Sequence, residues 1–191
     1  MRVPALVLAS SSPRRLMLLG RIGIVPDRVL SPDIDETPRR AENPRLYAIR
    51  MARAKADAVV LPGSYVITAD TVVAMGRRIL PKADTEAEVR ACLSLLSGRR
   101  HRVITAVVLA APDGRRTERV VESVVAFARM TDAQRHDFAA SGDGIGKAGG
   151  YAIDGRAAAY VRFLSGSHSA VVGLPLFETA QLLRGAGFPI P

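Results

Sequence analysis

The chain has 191 residues, 48% of them hydrophobic and 5% aromatic, enough to build a substantial core within a single domain over residues 1–191, or one domain of two lobes around a cleft. No apolar run approaches the length of a membrane span. Cys92 is the only cysteine, which excludes an internal disulfide, and Pro4 ahead of Ser12-Pro13-Arg14-Arg15 does not fit a signal peptide, so a reducing cytoplasm is the expected compartment. The formal charge is +9, from 27 basic and 18 acidic residues, and asks for an anionic partner. The basic pairs are dispersed (Arg14-Arg15, Arg39-Arg40, Arg77-Arg78, Arg99-Arg100, Arg115-Arg116) and no aromatic-rich RNA-binding signature accompanies them. Stable binding to nucleic acid or membrane is therefore not expected, and most of the basicity reads as solvated surface.

In chain order, Ala5–Ala9 reads as a short buried strand. Ser12-Pro13 then reads as an N-cap with proline at the first helical position, and Gly20 as the helix end. Arg14 and Arg15 fall on the first turn, where the helix dipole disfavours cations unless an anion intervenes. Val29–Glu36 reads as a strand running into an acidic loop. Asn43-Pro44 caps a long helix through about Val60, with Arg50, Arg53 and Asp57 on one face. Lys55 falls away from them, beside Met51 and Ala48; the plainer reading is a snorkelling stem, the other a lysine that meets an anion. Tyr65–Ala69 is a strand whose character resumes at Val72–Ala74. Asp70, between them, is either a bulge or strand-end residue with a purpose or a buried charge needing a partner.

Further along, Thr85 and Glu88 form a capping box, and Val89, Cys92, Leu93 and Leu96 repeat at core spacing. Cys92 is thus a core side chain. Arg102–Ala111 and Thr117–Met130 form a hairpin around Pro112-Asp113-Gly114. Thr131 with Gln134 starts a short helix that Ser141-Gly142 ends. "DGIGKAGGYAIDG" holds five glycines in thirteen residues, with Lys147 among them; no Walker or dinucleotide pattern is present. A strand over Ala157–Leu164 and a last helix with Pro175 near its start complete the chain. Alternating strands and helices define an α/β class. His101, His136 and His168 lack metal-ligand spacing and read as surface or structural residues. Hydroxyls and arginines at one helix start, Lys55 displaced on its helix, Lys82 after a turn, Lys147 in a glycine loop, and acids at loop and strand ends suggest a polyphosphate held with a divalent metal.

"LVLASSSPRRLMLLGRIGI", "DETPRRAENPRLYAIRMARAKA", "ITADTVV", "KAGGYAIDG" and "SAVVGLPLFETAQLL" together resemble the successive motifs of the Maf family, over Leu6 to about Leu183. The resemblance implies an elongated mixed β-sheet with flanking helices in two lobes around a cleft, similar to inosine triphosphatases. It implies hydrolysis of a nucleoside triphosphate between the α and β phosphates, with Mg²⁺, or else Mn²⁺ or Co²⁺, as cofactor. By the same resemblance Ser10, Ser12, Arg14 and Arg15 would bind phosphates. Lys55, Lys82 and Lys147 would lie near the triphosphate, Asp70 would accept a proton from the attacking water, and Glu36 with Asp70 would hold the metal. Asp35 pairs with Glu36 in that motif. Thr71 matches the threonine of the branch acting on dTTP and UTP. Family members often form dimers, which makes a homodimer an expectation.

The sequence departs from the family pattern where Asp154 replaces a glutamine associated with base selection. A glutamine amide donates and accepts, whereas an ionised aspartate only accepts and suits adjacent N–H groups such as those of guanine. The branch acting on 7-methyl-GTP carries an acid there but lacks the threonine. Thr71 and Asp154 thus point to different bases; dTTP and UTP are the expected substrates, a guanine nucleotide the alternative. Smaller departures are Ala83, Gly146 and His168. A non-catalytic regulator of septum formation is the rival reading, opposed by the intact Asp70, Lys55 and Arg14.

Overall fold

The computed structural model describes residues 3–190, whose frame is a mixed seven-stranded sheet. The strands are β1 (Leu6–Ala9), β2 (Arg28–Leu30), β3 (Tyr65–Met75), β4 (Arg78–Leu80), β6 (Arg100–Ala110), β7 (Arg116–Phe127) and β9 (Val161–Ser165). They run in the order β2-β1-β3-β6-β7-β9, with β4 also on β3. Strand β1 is parallel to both neighbours, and the remaining pairings are antiparallel. β5 (Lys82–Ala83) and β8 (Lys147–Ala148) form a separate two-stranded ribbon. The mixed α/β class read from the sequence is the class observed.

Both faces of the sheet are covered. The helix α2 (Pro44–Ala58) lays Tyr47, Ala48, Met51, Ala52 and Ala56 on Val72, Ile104, Ala106 and Val108. The opposite face carries the larger core, from α1 (Pro13–Arg21), α3 (Glu86–Leu96), α4 (Asp132–Ala140) and α6 (Leu176–Gly185). The capping boxes at Thr85 and Thr131 form as predicted, and Asn43 caps α2 by accepting from the Arg45 N–H. Cys92 is buried in the core.

Several local expectations need correction. Helix α1 continues through Gly20; Gly23, at φ 71°, accompanies its closing turn, where the Ile24 N–H reaches back to the Leu19 carbonyl. Ser12 occupies the N-cap, but its side chain makes no capping bond. The predicted strand over Val29–Glu36 is only β2, because Pro32 lacks an N–H to pair. The predicted strand over Ala157–Leu164 begins as a 3-10 turn (Arg156–Ala159) that buries Ala157, leaving β9 to start at Val161. A short helix, α5 (His168–Val172), precedes α6, and Pro175 is the N-cap of α6.

Candidate active site

The site lies at a break in the edge of β3. Strand β1 pairs with Tyr65–Thr68 and β4 with Val73–Met75. Among the described residues, Ala69–Val72 have no strand partner on that side. Yet β3 itself is unbroken, and Asp70 and Thr71 keep regular register with Ala106 and Thr105 on β6. Asp70 is therefore neither a bulge nor a strand end, which corrects the first of the two sequence readings and leaves the second, a buried charge with a partner. Side chains alternate across a strand, so Asp70 faces α2 with Thr68 and Val72, while Thr71 faces the opposite core with Val73. A cleft of about 260 Å³ opens through the gap and touches both.

On the α2 side, Asp70 is 5% exposed and its Oδ1 accepts from Lys55 Nζ at 2.6 Å. Lys55 is itself only 6% exposed, and its ammonium also contacts Glu36 Oε1 at 2.7 Å. The snorkelling reading of Lys55 fails here: with two carboxylates within reach, the buried ammonium is compensated. Lys82, on β5, pairs with the other oxygen of Glu36. Burial raises Asp70 above the usual carboxylate range, and Lys55 and Arg15 pull it back. Burial also opposes ionisation of Glu36, but hydrogen bonds from Lys55 and Lys82 hold it down to about 2. Tyr47 donates from its hydroxyl to the Glu36 carbonyl at 2.8 Å, fixing the acidic loop on α2.

Across the sheet, Arg15 is 9% exposed and bonded on three sides. Its Nε donates to the Gly173 carbonyl at 2.8 Å, one terminal nitrogen to Ser10 Oγ at 3.0 Å, and the other to Thr71 Oγ1 at 3.4 Å. A cation is thus tolerated on the first turn of α1 because protein acceptors and nearby Asp70 compensate it. Burial lowers Arg15 from its ordinary value and Asp70 opposes that shift. Arg14, partly exposed, lines the same cleft with Ser10, Ser11 and Ser12. Four cations (Arg14, Arg15, Lys55, Lys82) and two carboxylates (Glu36, Asp70) therefore face one space. The far wall is apolar, built from Val73, Val103, Tyr151, Ile153, Val171 and Val172.

Two predicted site residues lie elsewhere. Asp154 sits on an exposed turn beyond Ile153 and does not line the cleft. Lys147 pairs through its backbone with Ala83, and its ammonium reaches the Ile145 carbonyl at 3.4 Å outside the cleft; neighbouring Gly146 and Ala148 line it instead. Sequence reading missed Gly173, which receives Arg15 at φ 139°, and Thr105, which is buried behind Thr71. The glycine after "SAVV" was a legible signal; Thr105, inside a hydrophobic strand, carried none. His101 is structural, as expected: its Nε2 lies 2.7 Å from the Tyr151 hydroxyl, and burial pushes it down to about 4.

A mixed α/β sheet with a cation-lined cleft around a buried aspartate defines a protein built to accept a multiply charged anion. The chain belongs to the Maf family: the family model, described as Maf-like protein, matches residues 5–186. A relative from Granulibacter bethesdensis, named dTTP/UTP pyrophosphatase, is 60% identical over 96% of this chain and 93% of its own. One from Caulobacter vibrioides with the same name is 58% identical over 97% of both chains. Among solved structures, a HAM1 protein from Coxiella burnetii aligns with a TM-score of 0.49 at 18% identity, covering 94% of this chain and 98% of that one. Among the described residues no helix is long and apolar enough to cross a membrane.

Proposed function

We propose that this chain is a nucleoside triphosphate pyrophosphatase that hydrolyses dTTP and UTP to the monophosphate and pyrophosphate. The observation that carries the reading is the buried Asp70–Lys55 pair with the half-exposed Glu36 on the same ammonium, facing a cationic cleft, in a chain 53–61% identical to relatives named for this reaction. Arg14, Ser10, Ser12 and Lys82 receive the phosphates, with the first turn of α1 behind them. Arg15 adds its charge while holding the α5–α6 junction in place. Asp70 is the proton acceptor toward the attacking water: burial makes it more basic than an exposed aspartate, and Lys55 keeps it ionised and oriented.

Glu36 and Asp70 suit a divalent cation. They are hard oxygen donors converging on one point, as their shared contact with Lys55 shows, and Mg²⁺ needs only one or two carboxylates when substrate phosphates complete its shell. When bound, such an ion would neutralise charge on the phosphate oxygens. The protein's own groups orient the triphosphate and remove the proton from water. A cytoplasmic setting and a homodimer complete the proposal. Asp154, outside the cleft, favours the pyrimidine over the guanine reading.

The test is pyrophosphate release with Mg²⁺ from dTTP, UTP, CTP, GTP and 7-methyl-GTP. Preference for dTTP and UTP supports the proposal. Preference for a guanine nucleotide keeps the chemistry and overturns the substrate, and no release from any member returns the regulatory reading.

A further inference from the structure

Behind the cleft, four groups form a chain whose hydrogens can be assigned one by one. Thr105 Oγ1 lies 2.7 Å from the Ala170 carbonyl, which can only accept, so the single Thr105 hydrogen points there. Thr71 Oγ1 lies 3.0 Å from Thr105 Oγ1. With the Thr105 hydrogen already committed, Thr71 must be the donor in that contact; otherwise two lone pairs would face each other at hydrogen-bond distance. The Gly173 carbonyl, at 3.5 Å, is the weaker outlet for the Thr71 hydrogen. From the other side the Arg15 guanidinium, which can only donate, reaches Thr71 at 3.4 Å. The direction is therefore Arg15 to Thr71 to Thr105 to Ala170. Thr71, half-buried at the cleft, is left with no hydrogen and one free lone pair to offer.

We infer that Thr105, fully buried and never touching substrate, is a specificity-determining positioning residue: it fixes the Thr71 hydroxyl as a pure acceptor, so that the cleft selects bases presenting a ring N–H. This rests on the proposed nucleotide pyrophosphatase reading and adds the atom that reads the base. Thr71 stands between the Arg15 guanidinium and the apolar wall: Val73 follows it on the same face of β3 and pairs with Val103 on β6, and these two with Tyr151 and Ile153 give the part of the cleft suited to a flat ring. Uracil and thymine carry a ring N–H between two carbonyls, and cytosine has a bare acceptor nitrogen in that place. An acceptor-only hydroxyl pairs with the first and opposes the second. Asp154 is not required for this selection.

The experiment compares kcat/KM for UTP and CTP in the wild type, Thr105→Val and Thr105→Ser. Valine matches the shape but accepts nothing, leaving the Thr71 hydrogen only the weak 3.5 Å outlet to the Gly173 carbonyl, in competition with a partner in the cleft; serine keeps the relay. The expected result is a fall of about tenfold or more in the UTP-to-CTP ratio for Thr105→Val, with the ratio restored in Thr105→Ser. A merely structural role would lower both substrates together and leave the ratio unchanged, which overturns the inference while leaving the pyrophosphatase reading intact. Should Thr105→Val not fold, N3-methyl-UTP tested on the wild type decides: it lacks the ring N–H, and turnover equal to that of UTP overturns the inference. Absence of any UTP turnover by the wild type removes the proposed function and the inference with it.

Discussion

Replacing Lys55 by methionine keeps the length of the side chain and removes its charge. Lys55 and Asp70 are both nearly inaccessible, with side chains 8% and 7% exposed. Taking away one partner of a buried pair costs about 3–5 kcal/mol, because the remaining charge is left without compensation. For a chain of this size that lowers Tm by about 10 °C. The loss has a pH signature. Burial already raises Asp70 above its ordinary value of 3.8, and without Lys55 the rise is greater. The folded state then holds a proton that the unfolded state has released, so stability falls as pH rises through the window above 3.8, by up to about 1.4 kcal/mol per pH unit. Urea denaturation of Lys55→Met at pH 5 and pH 8 measures it, and adding Asp70→Asn should recover much of the stability at pH 8. Equal stability of Lys55→Met and wild type at both pH values would refute the account of Asp70 as a buried charge held by Lys55.

Three further expectations concern neighbouring groups. Arg14→Ala should change stability by less than about 0.5 kcal/mol and raise KM for the nucleotide at least tenfold, whereas Arg15→Ala should also unfold more easily, since Ser10, Gly173 and Thr71 lose a shared donor; similar melting curves for the two variants would count against the buried hub. Gly173→Ala should impair both stability and turnover, because φ 139° strains any side chain at the position that receives Arg15; wild-type values for both would contradict it. His101 is held at about 4 by burial, below its ordinary 6.5, so the native state binds fewer protons and stability should fall as pH drops from about 6.5 toward about 4, by about 3 kcal/mol at the limit. A His101→Gln variant should show a flatter acid limb in the same titration, and an unchanged limb would place the acid sensitivity elsewhere.

Much of this site was legible because its residues obey local rules. Pro13 starts α1, Asn43 caps α2, and the capping boxes at Thr85 and Thr131 start α3 and α4, all features that depend on neighbours within four residues. Asp70 stood out as a carboxylate in an apolar strand. What failed depended on distant residues. The plain reading of Lys55 was wrong because its partners, Glu36 and Asp70, come from a loop and a strand that helix periodicity cannot see. Gly20 looked like a helix end, yet the chain turns only at Gly23, where a positive φ accompanies the closing bonds. Arg15 is legible as a cation on the first turn of a helix, but its bond to the Gly173 carbonyl, 158 residues away, is not. Thr105 was invisible for the same reason: its role lies in the direction of a hydrogen bond between adjacent strands.

In the proposed reaction Asp70 drives attack of water on the anhydride between the α and β phosphates. Its most direct test is the product profile from dTTP and Mg²⁺, taken side by side for the wild type and Asp70→Asn after both are shown to be folded. The expected result is pyrophosphate and dTMP in equal amounts from the wild type, and a rate at least about a hundredfold lower from the variant. Orthophosphate with dTDP as the wild-type products, or full pyrophosphate release by Asp70→Asn, would contradict it.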